Sequence, residues 1–252
     1  MLAVAVSGCL GRMGREVVLA VQGADDMFLV AGSDTTATRE ADAGFPMFQS
    51  AGEMLLGAKP QVMVDFTIPS SVYDNVSRAL QAGVHCVVGT TGLSASERDE
   101  LGKLAADHGV GLLIAPNFAV GAVLMMQFAT QAAKYFSGVE IVELHHDQKL
   151  DSPSGTALLT AQGIGEVWSR KGGLSDQGQP ARGQECSGVQ VHSVRLPGLV
   201  AHQEVLMGNP GELLTIRHDS LDRKCFMPGV LLGVRQIISR KGLVYGLENL
   251  LF

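Results

Sequence analysis

The sequence predicts an α/β fold: a doubly wound parallel sheet, then a region of different character that reads as a second, α+β domain. Three observations predict it. Short continuous apolar runs, as expected of strands buried on both faces, recur between Leu2 and Ile114, and most are followed by a helical pattern. Several of these runs end in Gly, Thr or Asn, where backbone turns sharply or approaches a ligand. After Asn117 the alternation stops, and strand-like runs cluster without helices between them.

Leu2-Ala3-Val4-Ala5-Val6 is the first strand. It ends in Ser7-Gly8-Cys9-Leu10-Gly11-Arg12-Met13-Gly14, and a helical pattern runs from Arg15 to about Val21. Strand, glycine-rich turn and helix in that order form the context of a dinucleotide fingerprint. The spacing is G-x-x-G-x-x-G, with Cys9 where the usual first Gly stands; alone, it reads equally well as a tight turn without a ligand. The next strand, residues 28–33, ends at Asp34, which lies 20 residues beyond Gly14. A carboxylate there accepts from the hydroxyls of an adenosine ribose. The second match strengthens the first.

Residues 62–67 form the next strand, and Ile68-Pro69-Ser70 opens a helix to about Ala82. Residues 85–88 form another, ending in Gly89-Thr90-Thr91-Gly92, and Ser94 starts a charged amphipathic helix through Asp107. Residues 111–114 close with Ala115-Pro116-Asn117-Phe118. These ends lie at the carboxyl edge of the sheet, where doubly wound folds bind ligands. His85 and His108, near a strand start and in a helix tail, are routine.

Beyond Asn117 a long apolar helix (121 to about 136) leads to the stretch V-E-I-V-E-L-H-H-D-Q-K-L-D-S-P-S-G-T-A, Val139 to Ala157. Its first half alternates as a strand and delivers His145, His146, Lys149 and Asp151 into a short loop. Pro153 stops regular pairing, and Ser154-Gly155-Thr156 opens a helix expected to reach Arg170. The start of a helix favours negative charge. With two imidazoles and an ammonium beside it, the stretch suits an anionic substrate and proton movement. Ser before a helix is commonly a plain cap, and a loop His-His pair is commonly solvated; the concentration of such groups favours function. A metal is not expected, because adjacent histidines leave a strand on opposite faces. Residues 171–188 read as an irregular, mobile loop. Strands follow at 189–196, 202–207 and 212–220, with a hairpin turn at Gly208-Asn209-Pro210-Gly211, and an apolar helix at 226–240 returns to the first domain.

The 252 residues suffice for one large domain or two moderate ones. A net charge of −6 without a basic block argues against nucleic acid, and no apolar run reaches membrane-spanning length. Cys9, Cys86, Cys186 and Cys225 form no C-x-x-C pair and suit a reducing compartment, so a cytoplasmic location is expected. Two other classes stay open on the residues alone. One is a different Rossmann oxidoreductase, such as an amino-acid or aldehyde dehydrogenase, although no cysteine stands in a motif for covalent attack. The other is a dinucleotide-binding sensor, which leaves His145 and Lys149 unexplained.

Taken together, these residues resemble the 4-hydroxy-tetrahydrodipicolinate reductase family, long called dihydrodipicolinate reductase. Its pattern E-x-H-H-x-x-K-x-D-x-P-S-G-T-A runs unbroken from Glu143 to Ala157. G-x-x-G-R-M-G at 8–14, G-T-T-G at 89–92 and P-N-F at 116–118 fall in the family's order and spacing. The resemblance covers nearly the whole chain. It implies a Rossmann-type doubly wound domain (1–118 and 222–252) and an inserted α+β domain (119–221) that binds substrate and builds a homotetramer. It implies reduction of 4-hydroxy-tetrahydrodipicolinate with NADH and/or NADPH in lysine and diaminopimelate biosynthesis. It assigns His145 as proton donor and acceptor, Lys149 as proton donor, and His146, Gly155 and Thr156 to the substrate carboxylates. It assigns Gly8, Cys9, Leu10, Gly11, Arg12, Met13, Asp34, Gly89, Thr90, Thr91, Ala115, Pro116, Asn117 and Phe118 to the dinucleotide. Members favouring NADPH often carry Arg after the acidic residue, whereas Thr35 follows Asp34 here. NADH is therefore expected to work at least as well as NADPH, with Arg12 and Arg39 the nearby cations.

Overall fold

The apolar runs become strands because their Val, Leu and Ile side chains are buried on both faces of one sheet. The computed structural model describes residues 1–37, 44–168 and 180–251. Its elements begin β1 (Leu2–Ser7), α1 (Arg12–Gln22), β2 (Met27–Ser33), β3 (Met47–Phe48), α2 (Ala51–Ala58) and β4 (Val62–Asp65). They continue with α3 (Pro69–Gln81), β5 (His85–Val88), α4 (Ala95–Asp107) and β6 (Gly111–Ile114). Next come α5 (Val120–Ala133), β7 (Gly138–His145), α6 (Gly155–Val167), β8 (Gln184–Cys186), β9 (Val189–Arg195), β10 (Ala201–Asn209) and β11 (Glu212–Ser220). The chain closes with α7 (Met227–Ile237), β12 (Gly242–Tyr245) and α8 (Glu248–Leu251). Among the described residues no helix is long and apolar enough to cross a membrane.

Two compact units result. The first holds residues 1–118 together with the chain from 226 onward; the second holds 119–225, four residues past the boundary expected at 221. In the first, seven strands lie in the order β12-β6-β5-β4-β1-β2-β3, and every pairing is parallel. The order reverses between β1 and β4, the switch point at which such sheets bind ligands. Met63, Leu112, Val76, Leu80 and Leu101 are wholly buried in its core; each such side chain contributes about 1.5–3 kcal/mol. Ser94 caps α4 through a reciprocal bond with Glu97.

The second unit carries a mixed five-stranded sheet, β11-β10-β7-β9-β8. Val139, Ile141, Val191, Val205 and Met207 face Ala129 and Ala133 of α5 and Ala157, Ala161 and Ile164 of α6. The hairpin turns at Pro210-Gly211, with Asn209 opposite Glu212.

Several expectations need correction. Helix α1 begins at Arg12 rather than Arg15, because extended Gly11 is the cap and Gly14 lies inside the helix. A Cβ on Gly14 would stand 2.0 Å from the Gly8 carbonyl oxygen, so glycine there lets the helix pack closely on the turn after β1. Helix α5 stops at Ala133, short of 136, and α6 stops at Val167; Arg170 lies outside the described residues. So does 171–179, while the rest of the expected loop holds a 3₁₀ turn (Pro180–Arg182) and strand β8, paired antiparallel to β9. Strand β12 is too short to stand out as an apolar run and owes its existence to pairing with β6.

Candidate active site

In the first unit the residues expected to hold a dinucleotide stand at the carboxyl ends of β1, β2, β5 and β6. Gly8 follows β1 at φ +79, and a Cβ there would lie 2.4 Å from the Phe66 carbonyl oxygen beyond β4. Only glycine fits this left-handed position beside neighbouring backbone. Cys9 turns inward: its sulfur lies 3.7 Å from that of Met47. Burial, then the Asp34 charge, push its thiol up to about 11, so its side chain is packing material. Arg12 is exposed, and Arg39 lies outside the described residues.

Asp34, just past β2, is tied to the β1–α1 turn. It accepts from the Leu10 N–H (3.2 Å), the Thr36 N–H (3.0 Å) and the Thr36 hydroxyl (2.7 Å). Burial raises its pKa, but those bonds and the Arg15 charge outweigh burial and leave it below the usual carboxylate range. Gly89 packs on the Phe66 ring, leaving no room for a side chain. The Thr90 hydroxyl is committed to the fold: it donates to buried Asp65 (2.6 Å) and accepts from the Thr67 N–H (2.7 Å). Thr91 and Pro116 are exposed, Asn117 is half-buried, and Ala115 and Phe118 are buried. The Phe118 ring stands 5.8 Å from that of Phe66.

In the second unit β7 delivers His145 at the edge of a buried face. Alternation sets Val139, Ile141, Glu143 and His145 on that face, and register brings Ser193 beside Glu143 and Arg195 beside His145. Glu143 is fully buried. It meets the His145 Nδ1 at 2.5 Å, accepts two bonds from Arg195 (2.8 and 3.0 Å) and accepts the Ser154 N–H (3.2 Å). Burial pushes its carboxyl up, but the bonds from His145, Arg195 and Ser193 prevail and hold it at about 2. Arg195 also donates to the Asp151 carbonyl at 2.8 Å. Asp151, read as a candidate for chemistry, instead holds the Lys149 ammonium at 2.7 and 2.8 Å. That bond, chiefly, lowers the Asp151 carboxyl below its usual range.

Ser154 caps α6, its hydroxyl accepting from the Ala157 N–H at 3.2 Å. Exposed Gly155 and half-buried Thr156 form the first turn, the positive end of the helix dipole. His146 is exposed in the loop that also carries Lys149. The structure therefore gathers His145, His146, Lys149, Gly155 and Thr156 on the β7–α6 connection. Two residues were missed as site members, Glu143 and Arg195. A signal existed: Glu143 continues the Val139/Ile141 face, and a buried carboxylate requires a partner. Among the described residues no group of three or more His, Cys, Asp and Glu side chains is arranged to hold a metal.

Comparison with known proteins extends this geometry. The family described as dihydrodipicolinate reductase, N-terminus, matches residues 2–118, and the dihydrodipicolinate reductase C-terminus matches 121–251. The chain is 48% identical over 260 residues to a 4-hydroxy-tetrahydrodipicolinate reductase of Syntrophomonas wolfei, with 98% of each covered. It is 50% identical over 252 residues to the protein of that name from Streptococcus thermophilus strain CNRZ 1066, again with 98% of each covered. The solved structure of dipicolinate-bound dihydrodipicolinate reductase from Paenisporosarcina sp. TG-14 matches with a TM-score of 0.91. It is 44% identical, and 99% of both chains is covered.

Proposed function

The chain belongs to the dihydrodipicolinate reductase family, and from that membership we propose how its own residues divide the family's reaction. It is an oxidoreductase that reduces 4-hydroxy-tetrahydrodipicolinate to tetrahydrodipicolinate with NAD(P)H, in lysine and diaminopimelate biosynthesis. The substrate is a cyclic dicarboxylate, and the Paenisporosarcina relative bears dipicolinate, a flat molecule of the same charge.

His145 and Lys149 supply the protons, His146 and the Gly155-Thr156 turn bind the carboxylates, and the β1–α1 turn, Asp34, Gly89-Thr90-Thr91 and 115–118 hold the dinucleotide. The residues fit such a cofactor: the glycine turn stands at the carboxyl end of β1 beside the switch point of the sheet, and Asp34 offers a held carboxylate to a ribose. When bound, the nicotinamide supplies the hydride. Addition to the conjugated ring leaves an electron pair that a proton must quench, and an imidazole or ammonium donates it near neutral pH. The positive end of α6 and the His146 ring offset the two carboxylates. Thr90 acts through its backbone, since its hydroxyl is committed to Asp65 and Thr67.

One observation carries this assignment: an imidazole, an ammonium and the start of a helix occur within the 143–157 segment that follows one buried strand face. We further assign residues 119–221 to substrate binding and assembly, a homotetramer as the working form, and the cytoplasm as its location. The test supplies the condensation product of pyruvate and aspartate semialdehyde and follows nicotinamide absorbance. Parent protein consumes the nicotinamide, and His145→Gln does so far more slowly; equal rates would remove His145 from the reaction.

A further inference from the structure

We propose that Glu143, clamped by Arg195, is a positioning residue that sets the tautomer of His145, with Nδ1–H turned to the carboxylate and Nε2 presented to substrate. This rests on the reading of His145 as a proton donor, but it adds residues to which that reading gives no role. Glu143 Oε2 lies 2.5 Å from His145 Nδ1, on the inward face of β7. The carboxylate is wholly buried; Arg195 Nη2 and the Ser154 N–H donate to its Oε1, and Arg195 Nη1 shares Oε2 with His145. Arg195, the Ser154 N–H and Ser193 all donate to it, so an ionised acceptor suits the site. A neutral imidazole beside it keeps its one proton on Nδ1.

The proton accounting explains why that matters. His145 in its charged form carries hydrogen on both nitrogens. The Nε2–H bond breaks, its electron pair stays on Nε2, and the proton goes to the substrate centre that holds the pair left by hydride addition. What remains is neutral imidazole with hydrogen on Nδ1, the form Glu143 accepts without rearrangement. Nε2 then recovers a proton from water. The opposite tautomer would set a bare Nδ1 against a carboxylate and leave Nε2 already carrying the hydrogen it should have given up. Arg195 extends the arrangement, because the same guanidinium grips the Asp151 carbonyl, two residues beyond Lys149. One ion pair between buried Glu143 and half-buried Arg195 thus braces the imidazole, the Lys149 loop and the capped start of α6.

The experiment uses full-length protein labelled with ¹⁵N in histidine, at a pH alkaline enough to leave the ring neutral. The His145 signals are identified by their loss in His145→Gln. The parent is expected to carry hydrogen on Nδ1 with Nε2 bare. In Glu143→Gln the amide oxygen takes the Oε1 place, which accepts from Arg195 Nη2 and the Ser154 N–H, so the amide NH₂ takes the Oε2 place, gives up the Arg195 Nη1 bond, faces Nδ1 and inverts the tautomer. The kcat of this variant falls by about tenfold or more, the scale for losing a group that orients a histidine, while KM for the nicotinamide is unchanged. Glu143→Asp keeps the charge beside Arg195 but draws back from Nδ1 by one methylene, and is expected to lose kcat as well. Hydrogen on Nε2 in the neutral parent overturns the proposal, and that measurement does not depend on any variant folding. So does a folded Glu143→Gln that keeps the parent's tautomer or turnover. Full activity in His145→Gln would instead sink the assignment of His145 as donor and leave the tautomer result standing.

Discussion

Under the assignment proposed above, the two units hold their ligands with different materials. At the carboxyl edge of the first sheet most of the expected groups are backbone. Gly8 is left without a side chain by Phe66, and Gly89 by the Phe66 ring. The Thr90 hydroxyl is turned into the fold, and Asp34 adds a carboxylate tied to the glycine turn through the Leu10 N–H. In the second unit the groups proposed to work are side chains: His145, Lys149, His146 and, behind them, buried Glu143 with half-buried Arg195. The difference follows from what each must supply. A dinucleotide brings its own reactive atoms, so the protein needs shape and a few hydrogen bonds. A dicarboxylate brings only charge and a ring, so the protein must provide the protons and the countercharge.

This contrast is broken most severely by removing a proton donor. His145→Gln or Lys149→Met is expected to lower kcat by about a hundredfold or more, as for other positioned acids. Binding of NADH, measured by titration, should match the parent, because the residues proposed to hold it lie in the other unit. Near-parent turnover in either variant would remove that residue from the role given to it. The reciprocal change is Gly8→Ala. A methyl group 2.4 Å from a carbonyl oxygen, at φ +79, forces the turn to move. The expected cost is about 1–3 kcal/mol of stability, seen as a lower melting temperature. NADH affinity should fall while pyridine-2,6-dicarboxylate still binds. Parent-like NADH binding in this variant would mean that the turn does not approach the cofactor.

The same contrast decides how much was legible in the sequence. Backbone sites leave a composition signal, so the glycine turn after β1 and Asp34 after β2 stood out, and the parallel sheet with them. Elements that exist through pairing left less. β12 is four residues long and β8 three, and neither has a side-chain pattern strong enough to be read before its neighbour is known. His145 and Lys149 were visible as chemistry concentrated in a loop. Arg195 was not, because it lies 52 residues from Glu143 and reaches it only through the β7–β9 register. Thr90 was visible as a polar residue at a strand end, but its partner Asp65 reads as one more strand residue.

A smaller effect tests whether the helix start or its side chain binds the dianion. Thr156→Val removes a hydroxyl and keeps the shape. Pyridine-2,6-dicarboxylate inhibition should weaken by about fivefold, the scale of one ordinary hydrogen bond. Backbone N–H groups and the dipole of α6 remain, so binding should be reduced rather than abolished. Unchanged inhibition would make the contact a matter of backbone alone, and this corner of the second unit would then resemble the first.

The smallest expected effect is the choice between NADH and NADPH. Asp34 is held below the usual carboxylate range, the bonds from Thr36 and Leu10 outweighing burial, so it is charged at neutral pH. A charged carboxylate accepts from a free 2′-hydroxyl and repels a 2′-phosphate. Thr36 does not relieve the repulsion, since both its N–H and its hydroxyl are already spent on Asp34. Arg15 donates through Nε to the Leu10 carbonyl, which anchors it to the turn. Exposed Arg12 is the nearby cation of the described turn with freedom to meet a phosphate, and a guanidinium binds one with two parallel bonds. The balance is a modest one, so NADH should work at least as well as NADPH, with both accepted. Comparing kcat/KM for the two decides it: a preference for NADPH of tenfold or more, about 1.4 kcal/mol, would overturn this reading. Asp34→Asn should then move the ratio toward NADPH by removing the repulsion, and Arg12→Ala should move it back.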